Sequence, residues 1–202
     1  MVEIVQCRVG RDNFAYLVIC PATGLALGVD PGCDPQVLLG EVQRRALSLV
    51  WVVNTHGHVD HTAGNAVVLA ATGARLAAHP ADVPAAALPL ADGSVLEVGQ
   101  AQVSVLHTPG HTPGSLVLRA ADALLTGDTL FVGRCGRADL PGSDPAALYQ
   151  SLTRLAGLPG TMQVYPGHDY GPQPLSTIAW ERANNPYLQC PDLAAFIRLR
   201  MG

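Results

Sequence analysis

The stretch Thr55-His56-Gly57-His58-Val59-Asp60-His61 places four side chains able to bind a metal within six residues. Three further stretches offer one more each: His111 after Thr108-Pro109-Gly110, Asp128 after Thr126-Gly127, and His168 within Pro166-Gly167-His168-Asp169-Tyr170. The set is five histidines and two aspartates with no cysteine, a donor chemistry that suits zinc, iron or manganese and excludes sulfur-selective ions. Seven donors are too many for one tetrahedral ion, whereas two ions sharing one carboxylate use them all. Asp128 is the natural bridge, because its two oxygens can face one ion each. Two divalent ions, zinc foremost, would bring a bridging water near neutrality and so supply a hydroxide nucleophile at about pH 7. Asp60 can then bind metal and also orient that hydroxide or take its proton. No Gly-x-Ser-x-Gly is present. His79 and His107 are left over: His79 ends an expected strand near the rim, and His107 reads as a packing or orienting group.

Those donors need rigid elements behind them. Leu49-Val50-Trp51-Val52-Val53 is short and β-branched, the pattern of a buried strand, and Thr62 to Ala71 is small, apolar and helix-compatible up to Gly73. The donor-rich turn therefore sits at the carboxyl end of a strand, where α/β sheets keep their sites. In an extended turn His56 and His58 project to one side, while Asp60 and His61 follow as the chain bends into the helix. Val2 to Val9, Phe14 to Ile19 and Leu25 to Val29 read as earlier strands, and Asp34-Pro35 as the start of a helix running to about Arg45. A strand is expected around Arg75 to Ala78, then a short helix and loop over residues 80–92. In the second half, Gln102 to Leu106, Ser115 to Leu118, Ala123 to Thr126 and Gln163 to Tyr165 read as strands. Helices are expected from Asp144-Pro145 to Leu155, near Thr177 to Arg182, and over Asp192 to Met201. Each donor cluster follows a strand.

Length and composition set the outer bounds. A chain of 202 residues with 49% apolar content is long enough for one large core, so one domain over residues 1–202 is expected. A net charge of −4 without any basic run argues against a nucleic-acid partner. No uncharged apolar run reaches bilayer length, which argues against a membrane partner. The start carries no signal-peptide pattern, and five scattered cysteines without Cys-x-x-Cys read as reduced thiols, the usage of a cytoplasmic protein.

The ordered set Thr-His-Gly-His-Val-Asp-His, Thr108-Pro109-Gly110-His111, Thr126-Gly127-Asp128 and Pro166-Gly167-His168-Asp169-Tyr170 resembles the metallo-β-lactamase superfamily over nearly the whole chain. The resemblance implies an α/β, four-layer αββα sandwich with the metal site at one edge between two sheets. It implies His56, His58 and His111 on one ion, Asp60, His61 and His168 on the other, and Asp128 between them. Asp12-Asn13-Phe14, Val29-Asp30-Pro31-Gly32 and Gly127-Asp128-Thr129-Leu130-Phe131 are similar to the glyoxalase II-like hydrolases. Cys135-Gly136-Arg137, Thr177-Ile178, Glu181 and Asn185-Pro186 are similar both to those and to the related persulfide dioxygenases. The first group implies a metal-dependent hydrolase of small thioesters, with Arg137 and Tyr170 at substrate-contact positions; a monomer or homodimer is expected. Asp139 departs from that group, which has a tyrosine there. The second group implies one iron held by His56, His111 and Asp128, and Val59 departs from it, since those enzymes have alanine there.

Overall fold

The computed structural model describes residues 2–202. In chain order, the first half forms β1 (Glu3–Val9), β2 (Asn13–Cys20), β3 (Leu25–Val29), α1 (Pro35–Arg44), β4 (Ser48–Val53), α2 (Val59–Thr62), α3 (Asn65–Thr72), β5 (Arg75–Ala78) and β6 (Leu88–Pro89). The second half adds β7 (Val95–Val98), β8 (Ala101–His107), β9 (Leu116–Ala120), β10 (Ala123–Gly127) and a hairpin of β11 (Leu130–Phe131) with β12 (Arg134–Cys135). It closes with α4 (Pro145–Ala156), β13 (Gln163–Pro166), β14 (Ser176–Thr177), α5 (Ile178–Asn184) and α6 (Leu193–Met201).

The strands make two six-stranded sheets, ordered β1-β2-β3-β4-β5-β6 and β14-β13-β10-β9-β8-β7. β2 shows how the layers arise. Every residue from Asn13 to Cys20 is buried, as expected of a strand covered on both faces. With side chains alternating, Phe14, Tyr16, Val18 and Cys20 enter the core between the sheets, where Leu27, Leu96, Val103, Leu118 and Leu125 also pack. Ala15, Leu17 and Ile19 turn the other way, against Leu38 and Val42 of α1 and Val68 of α3. On the far side, Val117 and Leu124 meet Leu148 and Leu152 of α4, Ile178 of α5 and Phe196 of α6. Helix, sheet, sheet and helix give the four-layer αββα sandwich.

Three local expectations need correcting. The helix expected from Thr62 to Ala71 is broken into α2 and α3 around Gly64. A Cβ at Gly64 would lie 2.6 Å from the Gly32 carbonyl oxygen, so the chain passes too close to the β3–α1 turn for any side chain there. Residues 80–92 form no helix. Pro80, Pro84 and Pro89 remove backbone donors at intervals of four or five residues, and Leu88–Pro89 pairs beside β5 instead. β7 was missed: Val95–Val98 is too short to announce itself beside β8. Asp34 occupies the N-cap of α1 but makes no side-chain cap. Asp144 does cap α4, accepting from the amides of Ala146 and Ala147 at 2.8 and 3.1 Å.

All five cysteines are free thiols, and among the described residues no helix is long and apolar enough to cross a membrane.

Phe196 is fully buried beneath α6, with its ring 5.4 Å from that of Tyr149 and 6.1 Å from that of Tyr187. Phe196→Ala should cost about 3–5 kcal/mol in urea unfolding. A loss below about 1 kcal/mol, of the size seen for surface substitutions, would show that α6 is not held by this ring.

Candidate metal centre

The seven expected donors meet where the carboxyl ends of β4, β8, β10 and β13 converge. His56 and His58 lie on the turn after β4, Asp60 and His61 on α2, His111 after β8, Asp128 after β10, and His168 after β13. Nδ1 of His58 lies 3.0 Å from Nε2 of His56 and 2.9 Å from Nε2 of His111. On the other side, Nε2 of His61 is 3.2 Å from Nε2 of His168. Asp60 Oδ2 sits 3.6 and 3.4 Å from those two nitrogens. Asp128 stands between the groups: Oδ2 is 3.5 Å from His111 and 3.4 Å from His168, and Oδ1 is 3.3 Å from His61.

The outer nitrogens fix the tautomers. His111 Nδ1 lies 3.0 Å from the Arg137 carbonyl oxygen, which can only accept, so Nδ1 carries the hydrogen and Nε2 offers a lone pair. His61 Nδ1 donates to Asp30 Oδ2 at 3.1 Å, and His168 Nδ1 to Asp12 Oδ1 at 3.3 Å. Thr55 Oγ1 donates to Asp30 at 2.6 Å and is therefore the acceptor for His56 Nδ1 at 3.2 Å. Four ε-nitrogens thus point lone pairs at the cluster, and His58 alone turns its δ-nitrogen inward. Lone pairs about 3 Å apart repel unless a cation lies between them, and a metal ion in each donor set would satisfy them. Asp128 Oδ1, buried and without a hydrogen bond, fits the same reading.

The electrostatics agree. Burial lowers His56 well below its ordinary range and also lowers His111, keeping both as neutral donors. Burial also works against a charged His61, yet Asp128 and Asp30 overcome it and raise that ring well above normal. For Asp128, burial is outweighed chiefly by the His61 ring, with a hydrogen bond from His168, and the carboxyl is held well below the carboxylate range. A field that draws a proton to His61 draws a metal cation equally.

Sequence reasoning missed the groups that orient the donors. Asp30 received no role, though it binds Thr55 N at 2.8 Å, Thr55 Oγ1 and His61 together. Its φ of 48° is left-handed, a strained geometry for aspartate and the only local hint of its task. Asn13 Nδ2 donates to Asp60 Oδ2 at 2.9 Å and so fixes that carboxylate.

A cavity of about 680 Å³ opens onto the cluster. Arg137 and Tyr170 both line it. Tyr170 stacks on the His168 ring at 4.7 Å and 7°, and burial, with the nearby Asp12, Asp128 and Asp60, pushes its hydroxyl up to about 12. Arg137 is less free than expected: Asp139 takes its fork through bonds of 2.9 and 2.8 Å. Arg200, on α6, donates to the Gly136 carbonyl at 2.8 Å. Arg134 lines the same cavity and makes no ion pair among the described residues. His107 and His79 stand outside the cluster, stacked on each other at 4.4 Å.

Nitrogen NMR of the zinc-loaded protein at neutral pH should find the hydrogen on Nδ1 of His56, His61, His111 and His168, and on Nε2 of His58. An Nε2 hydrogen on His61 or His111 would contradict the orientation derived from Asp30 and the Arg137 carbonyl.

Comparison with known proteins places this arrangement. A hydroxyacylglutathione hydrolase of Anaeromyxobacter dehalogenans is 37% identical over 94% of this chain and 88% of its own length. The crystal structure of ETHE1 from Myxococcus xanthus superposes with a TM-score of 0.90 at 31% identity, covering 100% of this chain and 90% of that one. TTHA1623, solved in a di-iron-bound form, has a TM-score of 0.78 at 33% identity over 92% of this chain and 100% of its own. Residues 9–168 match the profile of the metallo-beta-lactamase superfamily. The chain belongs to that superfamily, whose members bind metal ions.

Proposed function

We propose that this chain is a cytoplasmic metal-dependent hydrolase of small thioesters, of the hydroxyacylglutathione hydrolase kind, holding two divalent ions. The observation that carries the reading is the pair of complete donor sets, His56–His58–His111 and Asp60–His61–His168, joined by Asp128. Relatives that carry the hydrolase name support the substrate class, and the di-iron form of TTHA1623 supports two ions. Zinc is the ion we favour, because imidazole and carboxylate donors suit it; iron and manganese share that donor chemistry.

Ions bound there supply Lewis acidity and lower the pKa of water to near 7. The remaining work belongs to the chain. Asp60, held by Asn13 beside His61 and His168, orients the nucleophile and can accept its proton at one defined place. Tyr170 stays a neutral donor at pH 7 and faces the cavity beside His168. The departing thiolate belongs to a thiol of pKa about 8.5 and needs no dedicated acid. Arg137 brings a cation largely matched by Asp139, so an anionic carrier group would lean on Arg134 as well.

A second reading, a mononuclear-iron persulfide dioxygenase, draws on His56, His111 and Asp128, which the structure also brings together. It leaves the second donor set without use. The purified protein should hold two ions per chain and release thiol from S-lactoylglutathione or simple acyl thioesters without consuming oxygen. Oxygen uptake with glutathione persulfide and no thiol release would transfer the assignment to the dioxygenase. In the same assay Asp60→Asn should lower kcat by roughly a hundredfold, and near-normal turnover would remove Asp60 from the chemistry. Arg134→Ala should raise KM roughly tenfold for thioesters whose carrier bears a carboxylate, the size of one charge-assisted hydrogen bond. Neutral thioesters should be unaffected, and an equal change for both would deny Arg134 a role in recognising charge.

A further inference from the structure

Asp82 lies outside the donor set, on a turn between β5 and β6. Its Oδ2 accepts from the Gly57 amide at 2.9 Å and from Thr112 Oγ1 at 2.6 Å. Oδ1 accepts from the Gly114 amide at 2.8 Å. Gly57 separates His56 from His58, and Thr112 follows His111. One half-buried carboxylate therefore joins a turn of the first sheet to a loop of the second, between histidines that share a donor set. The approach is close on both sides: a Cβ would lie 3.0 Å from Asp82 Cβ at Gly57 and only 2.6 Å from Asp82 Cγ at Gly114.

The two leftover histidines brace the same bridge. The amides of Asp82 and Ala81 bind His79, through its carbonyl oxygen at 3.1 Å and its Nδ1 at 3.2 Å. The His79 ring stacks on His107 at 8° from parallel, and His107 Nε2 donates to the Pro113 carbonyl at 2.9 Å. By contrast, the contacts that fix Asp60, His61 and His168 run to Asn13, Asp30 and Asp12 and do not involve Asp82.

We infer that Asp82 is a positioning residue that sets the spacing of His56 and His58 against His111, and with it the affinity of that set for its ion. The inference rests on the metal centre and is independent of the thioester reading. Partners of this kind around a metal site are worth 10–100-fold in affinity, because they hold the donors at the ion's preferred distances before it arrives.

The test is zinc competition against a chromophoric chelator that resolves the two ions, run on parent, Asp82→Ala and Asp82→Asn, beside thermal unfolding of the metal-free proteins. In Asp82→Ala one ion should be held 10–100-fold more weakly and the other within about threefold of the parent. Asp82→Asn, which keeps an acceptor oxygen, should fall between. If both affinities match the parent while the metal-free variant melts earlier, Asp82 merely supports the scaffold and the proposal is overturned. Equal weakening of both ions overturns it too. Should Asp82→Ala not fold, Thr112→Val removes one donor to the bridge and must show the same selective weakening, smaller in size. A parent that holds no zinc refutes the centre and the bridge together. A parent that holds two ions but cleaves no thioester refutes only the proposed activity.

Discussion

Five imidazole nitrogens and a buried carboxylate cannot press against one another unless positive charge lies among them. That constraint explains most of what surrounds the cluster. Rings free to rotate would swing their lone pairs apart, so His56, His61, His111 and His168 are pinned from behind: by Thr55, Asp30, the Arg137 carbonyl and Asp12. Asp30 accepts its strained φ because one carboxylate there serves Thr55 and His61 at once. Local backbone strain is stored where function needs a fixed direction.

The sandwich supplies what no single sheet could. The first sheet contributes His56, His58, Asp60 and His61 from one turn, and the second contributes His111, Asp128 and His168 from three loops. The sheets must hold a constant separation at this edge. Tyr16, buried in the shared core, reaches across to the Pro166 carbonyl with its hydroxyl at 2.5 Å. The Phe14 amide binds the Gly167 carbonyl at 2.8 Å. Both contacts end beside His168, so packing between the sheets becomes precision at the donor.

The fold and the donors were legible because their signals are local. A buried strand reads as an apolar run, and four candidate donors within six residues stand out without any partner in view. What could not be read depends on contacts distant in the chain or on side-chain conformation. The need for glycine at Gly64 follows from Gly32, thirty-two residues earlier in the sequence. The pairing of Arg137 with Asp139 is a rotamer choice that spacing cannot reveal. Asp30 looks like an ordinary Asp-Pro-Gly strand ending until His61 is placed beside it. Asp82 carries no motif at all.

The failure of residues 80–92 to coil has its own consequence. The segment lays Leu88–Pro89 along β5, and so decides what the first sheet presents at that border. A long apolar border would invite another chain to add a strand, the usual start of aggregation. Here the outermost strand is two residues long and ends in proline, which has no amide to offer a newcomer. The stretch that looked poorest in structure thus leaves this border of the first sheet with little for an added strand to pair with.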